Sequence, residues 1–264
     1  MTTKQPYEMT IVEASAAIAK GNLSCSELVN SCLKRIDALE DKIRAWAFLD
    51  REGALKAARR LDQEIRQGKC RGLLHGIPIG VKDLFYVAGL PNEAGSKLWA
   101  GFVPSFDATV VTRLKKAGAV ILGKTHTTEF AYMDPTVTRN PWNTEHTPGG
   151  SSSGSGAGVA AMMCLAALGS QTLGSVLRPA AYNGIVGFKG EYGRVSTYGV
   201  VPLSWSLDHV GVLAHTVVDV AIVFQVIAGY DPRDLGSLNE PVPDCLSRQE
   251  SKRTPRIGLM REYF

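Results

Sequence analysis

The sequence lacks a CxxC pair, and its five cysteines (Cys25, Cys32, Cys70, Cys164, Cys245) are odd in number and scattered. That spacing argues against a disulfide framework and reads as reduced thiols in a cytoplasmic compartment. No cluster suggests a metal, and no cofactor is expected. A basic run is missing too. The nearest groups, Arg113, Lys115 and Lys116 and the pair Lys252 and Arg253, read as solvated faces, and 29 basic against 25 acidic residues leave a net charge of only +4. Nucleic acid is therefore not an expected partner. No apolar run reaches the roughly 18–20 residues of a membrane span. The longest, Ala157 to Leu168, is too short, and the opening MTTKQPYEMT lacks the apolar core of a signal peptide. No membrane is expected, so Asn22-Leu23-Ser24 carries no weight as a glycosylation site. No internal repeat is visible.

What is there is ordinary globular composition: 264 residues, 45% hydrophobic and 20% charged. Thr10-Ile-Val-Glu13 and Ser24-Cys-Ser-Glu27 fit the capping box that opens a helix. Leu28, Cys32, Ile36 and Leu39 form one apolar stripe, and Leu55, Ala58, Leu61 and Ile65 another. Past Gly72, LLHGIPIGVKDLF reads as strand and turn. Asp107 is expected to cap the helix ATVVTRLKKAG, followed by a buried strand at 119–122 and a short helix in TTEFAYM. Segment 155–168 is apolar on every face and reads as an interior helix. GIVGF, RVS and GVVPL read as strands and Thr216–Gly229 as a helix, with an exposed connection over 231–254. Alternating strands and helices predict an α/β fold. RIGLM opens another strand, so the chain is expected to be cut short at its C-terminal end.

Three motifs match as text. Gly118-AVIL-Gly123-Lys124-Thr125 has the phosphate-loop spacing, but its variable residues are the strand itself. Gly156-Ala-Gly158-Val-Ala-Ala161 fits the dinucleotide fingerprint, yet follows a Ser/Gly loop, and the first carboxylate after it is Glu191. Gly150-Ser-Ser152-Ser-Gly154 fits the nucleophile elbow with Ser152 as nucleophile and Asp208-His209 as partners, though no strand precedes it.

A different constellation also suits acyl transfer, which needs a nucleophile, a base and oxyanion donors. Burial can hold a lysine neutral, because desolvation disfavours its ammonium form. Lys82 follows an apolar strand in HGIPIGVKDLF, and the alternative is a surface lysine beside Asp83. Ser175 lies in a short polar turn in GSQTLGSVLRPAAYNGIVGF. Backbone N–H groups in such a turn can converge on an anion.

Together GIPIGVKD, PGGSSSGSGAGVAA and GSQTLGSVLRPAA resemble the amidase signature family, as do LGKTHTTEFAYM and YGRVSTYGVVPLSWSLDHVG. The resemblance runs from about Ile11 to Phe264, and the wording SQTLGSVLRP looks closer to stand-alone amidases. Ser175 follows Ser151 by 24 residues, the interval the family keeps. The resemblance implies a mixed twisted sheet covered by helices: a single domain over 1–264, incomplete at its C-terminus, with a helical part at 8–70 and a catalytic core at 71–230. It also implies Ser175 as nucleophile, Ser151 as bridging serine after a cis peptide bond, and Lys82 as base. Backbone N–H groups of Thr172, Leu173, Gly174 and Ser175 would line the oxyanion hole, with Ser152 hydrogen-bonded near Lys82. The substrate would be a small linear amide. A homodimer is left open.

The sequence departs from the family at Leu173, where glycine is usual, at Lys189-Gly190-Glu191, where K-P-T is usual, and in length. A leucine in that turn is expected to add bulk and to resist any positive φ. Three readings therefore compete: an amide hydrolase, a catalytically impaired or truncated homologue acting as a binding module, and a Ser-His-Asp esterase at Ser152. Within the first, a glutamine-hydrolysing amidotransferase subunit shares the motifs.

Overall fold

The computed structural model describes residues 4–247 together with Thr254, Arg256 and Gly258. Both capping boxes form. Thr10 accepts from Glu13 N–H at the start of α1 (Ile11–Ala19), and Ser24 does the same with Glu27 for α2 (Cys25–Ile43). Each satisfies backbone donors that have no partner inside the helix. Two distant carboxylates add to this. Asp62 takes Cys25 N–H at 2.6 Å, and Asp219 takes Ile11 N–H at 2.9 Å across 208 residues of chain. The stripes face inward: Leu28, Cys32, Ile36, Ala58 and Leu61 are buried.

The expected helical part contains a strand, β1 (Trp46–Leu49), between α2 and α3 (Arg51–Arg66). β2 (Pro78–Lys82), α4 (Thr109–Lys116) and β3 (Val120–Thr125) follow. Asp107 does not cap α4. Ala108 holds that position, and the Asp107 carboxylate instead binds Ala88 N–H and the Lys115 ammonium. TTEFAYM forms a single 3-10 turn at Glu129–Ala131.

The interior helix is shorter than its composition suggests. α5 runs from Ser153 to Ala160, and β4 (Ala166–Gln171) takes the rest of the apolar run. A run of Ala, Met, Leu and Cys has no period to separate buried helix from buried strand. α6 (Leu177–Asn183), β5 (Val186–Lys189), β6 (His209–Ala214) and α7 (Val217–Ile227) complete the order. RVS and GVVPL are not strands. They contribute only isolated bridges, Val195 to Ala228 and Val200 to Phe85. Asp231, at the head of the expected exposed connection, is buried and accepts from Ser196 and Thr109. The expected strand at RIGLM lies outside the described residues.

The six strands form one mixed sheet in the order β1-β3-β2-β4-β6-β5. β2 is parallel to both β3 and β4, and the other three strands are antiparallel to their neighbours. The chain steps from β2 to β3 on one side, then crosses to β4 on the other. Such a reversal opens a crevice beyond the carboxyl ends of the strands, the usual ligand position in open α/β sheets. Lys82 ends β2, and Gln171 ends β4.

Candidate active site

Lys82 is 0% exposed, which removes the surface-lysine alternative. Its Nζ lies 2.7 Å from Ser151 Oγ, 2.9 Å from Ser170 Oγ and 3.3 Å from Ser170 O. Burial drives its pKa well below the ordinary lysine range, and the negative charge of Asp208 opposes this only in part.

Ser151 follows a cis Gly150–Ser151 peptide bond, and its carbonyl accepts from Thr128 N–H at 3.2 Å. The Gly-Ser segment is no linker. All of Ser151 to Ser155 is buried, and three of its hydroxyls have specific tasks. Ser151 meets Lys82, Ser152 Oγ donates to Ser170 O at 3.2 Å, and Ser155 Oγ donates to Leu168 O at 2.8 Å. Ser152 thus bonds the carbonyl that also faces Lys82. Gly154 lets α5 press onto the sheet: a Cβ there would stand 2.2 Å from Ala45 O and 2.4 Å from His126 N.

Ser175 sits in the turn between β4 and α6 and is half-buried. Its carbonyl accepts from Ser152 N–H at 3.2 Å, so the turn abuts the Ser151–Ser152 segment. Among the described residues, no acceptor takes the N–H of Leu173, Gly174 or Ser175. Leu173 is 80% exposed and is not among the residues with positive φ. Its side chain is exposed, and the strain expected of a positive φ does not arise. Thr172 donates to Asp208 Oδ1, and Asp208 Oδ2 accepts from Leu203 N–H at 2.7 Å and Ser204 N–H at 2.9 Å.

The elbow reading loses its partners. Ser152 is fully buried and spends its hydroxyl on a carbonyl. The His209 ring nitrogen Nδ1 lies 2.6 Å from Leu207 O, and the ring packs edge-on against Tyr192. The other two text motifs dissolve as well. Lys124 of the phosphate-loop spacing is buried within β3 and paired with Asp83 at 2.8 Å. The dinucleotide spacing falls inside α5, whose Gly156 packs on Asn183 and Pro179.

Ser170 is the residue that sequence reasoning misses. Its only signal is its position in GSQTLGS, beside the predicted nucleophile turn. Asp208 enters the sequence reading only as a partner of His209.

Comparison with known proteins places this architecture. The family profile described as Amidase matches residues 27–264. The A subunit of glutamyl-tRNA(Gln) amidotransferase from Chloroflexus aggregans is 47% identical over 265 residues, covering 98% of this chain and 54% of that protein. Its counterpart in Desulfatibacillum aliphaticivorans is 43% identical at the same coverage. The solved peptide amidase of Stenotrophomonas maltophilia superposes with a TM-score of 0.87 at 38% identity, over 93% of this chain and 54% of that one. The solved Thermotoga maritima counterpart of the amidotransferase relatives gives 0.77 at 33% identity, over 91% and 51%. Sequence relatives thus carry the amidotransferase name, while a peptide amidase is among the structural neighbours. The chain spans about half the length of the curated relatives it matches. With the profile covering most of its residues and relatives above 40% identity, the chain belongs to the amidase family, the family of the amidase signature.

Proposed function

We propose that this chain carries the catalytic centre of an amide hydrolase that works through an acyl-enzyme, with Ser175 as nucleophile, Ser151 as relay and Lys82 as base. The observation that carries the reading is the 2.7 Å contact between Lys82 Nζ and Ser151 Oγ in a fully buried setting. A neutral amine has two N–H donors and one lone pair. The surroundings of Lys82 fit that count. The two N–H groups suit Ser170 O and Ser170 Oγ, and the lone pair can accept the Ser151 hydroxyl proton.

The steps follow. Ser175 Oγ attacks the amide carbon as its proton passes to Ser151, whose own proton passes to Lys82. Negative charge on the former carbonyl oxygen meets the uncommitted N–H groups of residues 173–175. Lys82 returns its proton through Ser151 to the leaving nitrogen, and the C–N bond breaks. Water then attacks the ester on Ser175, giving a proton to Lys82 through Ser151, and Lys82 returns that proton to Ser175 Oγ as the acyl C–O bond breaks and the acid leaves. No metal or cofactor takes part in this scheme. Small linear amides are the proposed substrates.

A second reading has its own support. The curated relatives named as amidotransferase subunits favour glutamine as the amide, with a protein partner receiving the ammonia. Glutaminase activity that rises on adding such a partner would select it. Leu173, being exposed, gives no support to an impaired homologue.

The test is labelling with a fluorophosphonate probe and mapping of the adduct by mass spectrometry. Modification at Ser175, abolished by Lys82→Ala, is expected. An adduct at Ser152, or none at any serine, would overturn the proposal.

A further inference from the structure

Gln171 is the last residue of β4 and is buried, with no charge and no direct contact to Lys82. The proposed chemistry makes no use of it. Yet its side-chain amide reaches across the whole nucleophile turn. Oε1 accepts from Val176 N–H and from Leu177 N–H, both at 2.9 Å. Nε2 donates to Leu173 O at 3.1 Å. One planar group thus ties residues 173, 176 and 177 together around Ser175.

We propose that Gln171 is the positioning residue of the nucleophile turn, setting the direction of the backbone N–H groups of residues 173–175; this rests on the acyl-transfer reading of the site. The physical reason is a division of donors. A short turn entering a helix leaves several N–H groups without intrahelical partners. Gln171 takes those of Val176 and Leu177, which lie past the nucleophile. It also binds the Leu173 carbonyl, which turns that peptide so its oxygen faces the Gln171 amide. What remains free is the set able to meet an oxyanion.

The bonding pattern needs an acceptor and a donor on one side chain of this reach. An ionised carboxylate keeps the two accepted bonds, but opposes the Leu173 carbonyl with a second oxygen. A protonated carboxyl restores the donor. Gln171→Glu is therefore a variant whose defect depends on pH, and Gln171→Ala is one whose defect does not. A residue that merely filled space would give no such contrast.

The experiment has two readouts on the chain as it stands. The first is backbone amide exchange by NMR. In Gln171→Ala, the Val176 and Leu177 amides should exchange at least about tenfold faster than in wild type, while core amides such as Val212 and Leu213 keep their protection. Unchanged exchange at Val176 and Leu177 would overturn the proposal, whether or not the protein has activity. The second readout is the rate of Ser175 labelling by a fluorophosphonate, followed against pH. The ratio of Gln171→Glu to wild type should rise as pH falls and the introduced carboxyl gains its proton. The introduced carboxylate, like Asp208, also bears on the Lys82 pKa, so a rising ratio supports the clamp only together with faster exchange at Val176 and Leu177. A ratio flat with pH would also overturn the proposal. If wild type is not labelled at all, the hydrolase reading fails and the exchange readout still judges the clamp. Should Gln171→Ala not fold, the exchange measurement moves to the near-isosteric Gln171→Glu, where protection of Val176 and Leu177 must change with pH relative to wild type.

Discussion

Lys82 and Lys124 are buried lysines on adjacent parallel strands, and of the two only Lys124 forms an ion pair. Lys124 Nζ meets Asp83 Oδ1 at 2.8 Å, Asn92 Oδ1 at 2.7 Å and Pro91 O at 3.2 Å. The carboxylate among those acceptors favours the charged ammonium form. Lys82 meets two hydroxyls and one carbonyl. One strand pair therefore holds a structural cation and a candidate base, told apart by their partners.

The two lysines should separate in experiment. Lys82→Met removes a group that burial disfavours in its charged form, so the protein should melt no lower than wild type while losing Ser175 labelling. Lys124→Met strands the Asp83 carboxylate, and breaking such a buried pair costs about 3–5 kcal/mol. Thermal melts of both variants decide this. A large loss of stability in Lys82→Met with none in Lys124→Met would reverse the assignment.

Labelling of Ser175 should rise with pH. A base must be neutral, so the rate climbs as Lys82 loses its proton, with a midpoint well below the ordinary lysine value of 10.5. The charge of Asp208 raises the Lys82 pKa. Asp208→Asn should therefore move the midpoint to lower pH. A shift upward would mean that Asp208 acts on the turn through Thr172 and not on the base.

His209→Ala should keep most of the labelling rate, because its ring is engaged with Leu207 and Tyr192, away from Ser152 and Lys82. Ser152→Ala should cost about 1 kcal/mol for its lost hydrogen bond to Ser170 O, with Ser175 still modified. Loss of all reaction in His209→Ala would revive the elbow reading.

Leu173→Gly should alter the rate at Ser175 by less than about threefold. The leucine side chain is exposed and its φ is not positive, while glycine adds backbone freedom worth about 0.5–1 kcal/mol. Second-order labelling rates of the two proteins make the comparison. A tenfold gain would show that the side chain obstructs the crevice.

Gly154→Ala should leave little folded protein, since the added Cβ meets backbone atoms of Ala45 and His126 that no rotamer can move aside. Soluble yield and circular dichroism check this. A stable, cooperative fold would mean that α5 can lift from the sheet without loss.

The parts of this molecule that are legible in the sequence share a local cause. Thr10, Glu13, Ser24 and Glu27 announce helix starts because a capping box closes within four residues. Lys82, Ser151 and Ser175 stand out through the spacing of three motifs, and hydrogen bonds bring their segments together. What stays hidden depends on distant chain. Strand β4 looks like helix because burial on both faces erases periodicity. Asp107 looks like a cap but finds Lys115 and Ala88 instead. Ser170 and Asp208 acquire their relation to Lys82 only when β2, β4 and the segment before β6 meet.

The bond from Ile11 N–H to Asp219 bears on how the protein is made. Synthesis runs at about 5–20 residues per second, so the carboxylate emerges roughly 10–40 s after the helix it anchors. Throughout that time α1 has its own Thr10 cap but not the surface of α7. Every nascent copy thus spends an interval with Ile11 and its neighbours open to chaperones and proteases. A pause of the ribosome anywhere before codon 219 lengthens it. Slow codons within α6 or β6 should therefore lower the yield of intact protein more than the same codons placed after α7.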